Sequence, residues 1–135
     1  MAVEQKLVYM LEDDSDDRYI TTSTIEELDL PIKIKFFSKS YQFLEFLSTA
    51  KKSSIILVDY NSNPDNGLAV LKKIKEMDVH KGTPLIILSD SSLSKYRDEC
   101  YALGASSFIQ KPSRLKKTKE VIHLFFTYWI TIAEV

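Results

Sequence analysis

The chain has 135 residues, 44% hydrophobic and 27% charged, which suits one domain with a single core and is too apolar for a disordered chain. A formal net charge of -1 excludes a general attraction to nucleic acid or anionic membranes, and the single cysteine, Cys100, excludes an internal disulfide framework and fits a reducing compartment. "MAVEQK" has no apolar core and is no secretory signal, and the longest apolar tract, "VIHLFFTYWITIA" (121–133), is too short to span a bilayer and is broken by His123 and two threonines, so a cytoplasmic location is expected.

Leu7 to Leu11 forms the first predicted strand. Glu12, Asp13, Asp14, Asp16 and Asp17 follow it directly, five carboxylates within six positions. Asp14, Asp16 and Asp17 read as a solvated face, with Ser15 or Asp16 favouring the N-terminus of the first helix. Ile32 to Phe37 is the second strand, after which Ser40 is expected to cap the helix "YQFLEFLSTA". The third strand, Ile55 to Val58, and the fourth, Leu85 to Leu88, are continuous and β-branched, as strands buried on both faces tend to be. Between them Leu68, Leu71, Ile74 and Met77 recur at helical spacing, and His80 falls in a loop pattern. A fourth helix carries the stripe Leu93, Tyr96, Cys100 and Leu103, with Cys100 in the core and Gly104 as its stop. Ser107 to Ile109 is the fifth strand, and a last helix starts after Pro112 and runs nearly to the C-terminus. Its basic run, Lys111, Arg114, Lys116, Lys117 and Lys119, lacks interleaved aromatics and reads as a solvated face, not a nucleic-acid site. Linkers and repeats are absent, so residues 1–135 are expected to form one domain.

Five rounds of strand and helix predict an α/β doubly wound fold around a five-stranded parallel sheet. Ligands of such folds sit at the carboxyl ends of the strands, where strand order reverses. Those ends carry Glu12 and Asp13, then Asp59, then Ser89, then Lys111. Carboxylates about 5 Å apart repel by roughly 3 kcal/mol per pair at an effective dielectric near 20, so the cluster either holds protons or binds a cation. Oxygen ligands in an open pocket suit Mg²⁺, and the two histidines, His80 and His123, are too far apart in sequence to suggest zinc. A lysine and a hydroxyl beside such an ion can grip a phosphoryl group, with Asp59 as the nucleophile that forms an acyl phosphate.

The motifs "LEDD", "ILVDYNSNPDNG", "LIILSDSS" and "FIQKP", in that order, resemble the CheY-like receiver domain of two-component response regulators over essentially the whole chain. The resemblance implies a flavodoxin-like (βα)₅ fold with strand order 2-1-3-4-5. It also implies that Asp59 accepts a phosphoryl group from a histidine kinase or phosphotransfer protein, with Mg²⁺ held by Asp13, Asp59 and the main-chain carbonyl of Asn61. Glu12 would assist through a water, Ser89 and Lys111 would bind the phosphoryl oxygens, and Ser89 and Phe108 would form the switch. Nothing follows the fifth helix, which implies no output domain. The tail "FFTYWITIAEV" is similar to single-domain regulators that partner phytochrome-type kinases. That similarity points to a homodimer through the fourth helix, fifth strand and fifth helix. In the last helix, Val121, Ile122, Phe125, Trp129 and Ile132 are expected to cover the sheet, leaving Phe126, Tyr128 or Ile130 partly outside.

Three positions depart from the family pattern. Pro64 stands one place later than the usual Met-Pro, Ser89 replaces the commoner threonine, and Asp90 occupies a place usually given to a small neutral residue. Asp90 is expected either to repel an incoming phosphoryl group or to turn outward and cap the fourth helix. Two other functions share parts of the pattern. A degenerate receiver would bind partners without phosphorylation. A haloacid-dehalogenase-type phosphatase would need a second acid two residues after the nucleophile, where this chain has Asn61.

Overall fold

Alternation along the first strand decides the architecture. β1 (Lys6–Leu11) sends Val8 and Met10 to one face and Tyr9 and Leu11 to the other, and all four are buried. A strand apolar on both faces needs cover on both, which parallel sheets obtain from their crossover helices. The computed structural model, which describes residues 4–91, 93–112 and 114–135, has this arrangement. After β1 come α1 (Ser15–Leu28), β2 (Ile32–Phe37), α2 (Ser40–Thr49), β3 (Ile55–Asp59) and α3 (Gly67–Lys75). They are followed by β4 (Leu85–Ser89), α4 (Ser94–Ala102), β5 (Ser107–Gln110) and α5 (Leu115–Phe126). A short 3₁₀ turn, Asp78–His80, precedes β4, and α5 continues as a π-helical segment, Thr127–Ile132. All strand pairs are parallel, in the order β2-β1-β3-β4-β5 expected from the sequence.

Two cores share the sheet. Phe43 and Leu47 of α2, Val70, Leu71 and Ile74 of α3, and Cys100 of α4 pack on Tyr9, Leu11, Ile56, Val58 and Ile87. Ile25 of α1 and Phe126 of α5 close the opposite face over Val8, Met10, Ile55, Leu57 and Ile86. Gly104, at φ +99°, ends α4 with a backbone conformation that L side chains rarely adopt and turns the chain into β5.

Asp14 is exposed, as expected, and is also the N-cap of α1: its Oδ1 accepts from the backbone N–H of Asp16 at 2.8 Å and of Asp17 at 3.0 Å. Several other local expectations are corrected. Ser40 is buried as the first residue of α2 and does not cap it; its Oγ accepts from the N–H of Asp65 instead. Leu93 and Leu103 flank α4 and are exposed, so the stripe there reduces to Tyr96 and Cys100. His80 is fully buried, with Nε2 2.8 Å from the carbonyl of Leu47. In the last helix Phe126, expected outside, is the buried anchor, and Ile132, expected on the sheet, is 68% exposed. Ile122, Phe125, Trp129 and Ile130 pack beside Phe126. The π-helical segment has a wider turn than an α-helix and shifts which side chains face inward.

Candidate functional site

β1 pairs with β2 on one side and β3 on the other, so strand order reverses between β1 and β3 and a crevice opens beyond their ends. Glu12 and Asp13 leave β1 there, and Asp59 ends β3. Arg18 fixes the turn after β1: its Nε donates to the Glu12 carbonyl at 2.6 Å and its guanidinium to Ser38 Oγ at 2.6 Å, over the Phe36 ring. Asp59 is buried, and its Oδ1 accepts from the backbone N–H of Asn61 at 3.0 Å. Carboxylate oxygens of Glu12, Asp13 and Asp59 lie within 4.8 Å of one another, an all-oxygen donor set able to hold a divalent cation.

Lys111 enters from the end of β5, where its N–H donates to the Ser89 carbonyl at 2.7 Å. Its ammonium donates to Glu12 Oε1 at 2.5 Å, to Asp17 Oδ2 at 3.2 Å and to Asp59 Oδ2 at 3.2 Å. Burial alone would lower the Lys111 pKa, but the hydrogen bond and charge of Glu12, with the charges of Asp59 and Asp17, hold it above the ordinary lysine range. Burial pushes Glu12 up to about 8, against the pull of the Lys111 ammonium. One cation thus serves three carboxylates, and the surplus negative charge is what a metal would relieve.

The expected site residues Glu12, Asp13, Asp59, Ser89 and Lys111 converge on this crevice. Ser89 is fully buried, its Oγ accepting from the N–H of Ser91 at 3.1 Å. Asn61 lies exposed at the rim, its side-chain oxygen 3.5 Å from the N–H of Asp90. Glu12 accepts directly from the Lys111 ammonium. Asp90 does not cap α4, whose N-cap, Leu93, makes no side-chain cap bond. Phe108 is half-buried, edge-on to Tyr60 with ring centroids 6.4 Å apart, while Tyr60 stacks on Tyr96 of α4 at 4.9 Å. This aromatic chain runs from the residue beside Asp59 to α4 and β5. The Tyr60–Tyr96 stack and the contact of Asp17 with Lys111 were not anticipated. The signal for Asp17 was its place three residues after a capping Asp14, in a first turn that lies beside the strand end.

The family model for the response regulator receiver domain matches residues 8–123. Two-component response regulator ORR7 of Oryza sativa subsp. indica is 30% identical over 107 residues, 79% of this chain and 49% of that protein. Two-component response regulator ARR17 of Arabidopsis thaliana is 32% identical over 80 residues, 59% of this chain and 52% of that protein. The chain spans about half the length of these curated relatives. The phosphorylated cyanobacterial phytochrome response regulator RcpA shares the fold with a TM-score of 0.89 at 20% identity, covering 97% of this chain and 98% of that one. Parallel strands in the order β2-β1-β3-β4-β5, acids at the ends of β1 and β3, a lysine after β5 and a family match across most of the sequence agree: the chain belongs to the response regulator receiver domain family.

Proposed function

We propose that the chain is a phosphorylation-dependent response regulator that accepts a phosphoryl group on Asp59 from a histidine kinase or a phosphotransfer protein. The observation that carries this reading is the Lys111 ammonium bridging Glu12 and Asp59 beside a three-carboxylate cluster. The donor set fits a hard divalent ion, Mg²⁺ in this reading, held by Asp13, Asp59 and the Asn61 main-chain carbonyl with Glu12 in support. Held by these residues, Mg²⁺ would supply positive charge beside the phosphoryl oxygens. An Asp59 carboxylate oxygen forms the new P–O bond as the donor's P–N bond breaks. The electron pair leaves with the donor imidazole, which is neutral when its other nitrogen carries a proton. Lys111 donates to one phosphoryl oxygen, and the Ser89 hydroxyl, turning from its resting contacts, donates to another. That turn opens room at β4, and Phe108, Tyr60 and Tyr96 relay the change to the surface of α4 and β5. Exposed Leu124, Tyr128 and Ile132 recur every four residues along the last helix and support pairing of two copies through α4, β5 and α5.

The test is incubation of the whole chain with phosphoramidate and Mg²⁺, followed by intact-mass and peptide analysis. One phosphoryl group on Asp59 is expected, lost on chelation and in Asp59→Asn. A wild-type chain that takes no label defeats the reading and favours a phosphorylation-independent adaptor.

A further inference from the structure

We infer that Asp17 is a positioning residue that keeps Lys111 in the crevice while a divalent ion occupies the carboxylate cluster, an inference that rests on the phospho-acceptor reading for its role in transfer. An ammonium has three N–H donors, and those of Lys111 go to three carboxylates, on Glu12, Asp17 and Asp59. Two of these acceptors, Glu12 and Asp59, also belong to the group able to hold a metal; Asp17 does not. A dication in that group competes for both shared carboxylates and repels the ammonium. Packing leaves space on one side, where a cavity of about 110 Å³, lined in part by Glu12, Asp17, Leu88, Asp90, Lys111 and Pro112, lies between the lysine and α1 and α5. Lys111 therefore has space to withdraw. Asp17 is the acceptor left to oppose that movement.

Its own position is well fixed. Asp17 is the third residue of α1; its N–H is held by the Asp14 carboxylate and its carbonyl accepts from the buried Thr21 hydroxyl at 2.8 Å. An exposed ion pair in water contributes little. This pair differs because the lysine side chain is only 15% exposed. Asp17 stands outside the metal-capable group, and its carboxylate pairs with Lys111.

Nitrogen-15 NMR of the lysine ammonium groups in the full chain, with and without saturating Mg²⁺, tests this. In wild type the protected Lys111 resonance is expected to persist in both conditions. In Asp17→Asn it persists without Mg²⁺, held by Glu12 and Asp59, and is lost when the metal binds. Asp17→Glu, which keeps the charge, retains it. Labelling by phosphoramidate at saturating Mg²⁺ should slow about tenfold in Asp17→Asn, the low end for residues that orient a metal-site group, and the same change should add nothing in a Lys111→Ala background. A Lys111 resonance that survives Mg²⁺ in Asp17→Asn, or a slowing that persists without Lys111, overturns the inference. So does a wild-type chain that binds no Mg²⁺ or loses the resonance with it. A wild-type chain that binds Mg²⁺ but is never labelled defeats the phospho-acceptor reading instead, and the resonance still decides what holds Lys111.

Discussion

Gly67 meets the backbone of Tyr60 so closely that a Cβ on the glycine would stand 2.6 Å from the Tyr60 Cα. The Gly67 N–H donates to the Tyr60 carbonyl at 2.8 Å, fastening the start of α3 to the residue after Asp59. Gly67→Ala must push α3 off the strand end, and overpacking of this kind costs about 1–3 kcal/mol. Denaturant unfolding should show that loss, together with weaker Mg²⁺ binding because Asp59 moves with Tyr60. Unchanged stability would mean that the loop yields without disturbing β3.

Glu12 should make the metal-free protein less stable as pH rises. Its folded-state pKa is raised to about 8 from 4.5, so the folded chain holds a proton that the unfolded chain has released. The contribution is complete below the unfolded value and is lost as pH climbs through the folded one. Glu12→Gln does not titrate, so its stability relative to wild type should improve by on the order of 3 kcal/mol between about pH 5 and 8, the pull of Lys111 on the ionised form being already contained in the raised value. Urea titrations of both proteins across that range check it, and a constant difference sinks it.

The last helix separates two roles on opposite faces of one turn. Phe126 is 1% exposed and Leu124 68% exposed. Phe126→Ala should cost about 3–5 kcal/mol, whereas Leu124→Ala should stay within about 0.5 kcal/mol. If two copies pair through this face, Leu124→Glu should abolish the dimer in sedimentation without lowering the melting temperature of the fold. A wild-type monomer with and without phosphorylation rejects the pairing.

Asp90 is exposed beside Lys111 and Pro112 and leaves α4 uncapped. The expectation is that its charge bears on the incoming donor. Asp90→Ala should speed labelling of Asp59 by a small anionic donor, up to about tenfold at low salt, with the gain shrinking as salt is added. The melting temperature should not change. An unchanged rate at every ionic strength would rule out the repulsion.

The strands and the site were legible because each carried a strong local signal. Ile55 to Val58 is apolar without a break and ends on Asp59, and Lys111 precedes a proline just after β5. Topology alone then gathers Glu12, Asp13, Asp59, Ser89 and Lys111. What escaped was set by tertiary context. Asp14, Asp16 and Asp17 looked alike as solvated acids until the cap at Asp14 fixed the angle at which α1 starts. Phe126 was misplaced because the inward stripe was drawn too narrow: Ile122, Phe125, Phe126, Trp129 and Ile130 all pack on the core at ordinary helical spacing, whereas Ile132 ends the widened segment. Ser40 had the residue type of a cap, yet its hydroxyl serves the loop after β3, a contact 25 residues away in sequence.

The two faces of the sheet also carry separate chromophores. The single tryptophan, Trp129, packs into the core between the sheet, α1 and α5, with the Phe125 and Tyr128 rings 6.2 Å and 5.3 Å away. The Tyr60–Tyr96 stack lies in the other core, under α3 and α4. Fluorescence from the indole thus reports one layer, whereas near-ultraviolet dichroism, to which Trp129, Tyr128 and the stacked tyrosines all contribute, reports both. Because β1, β3 and β4 supply side chains to both layers, the two should dissolve together, and the expected result is loss of both optical signals at the same denaturant concentration.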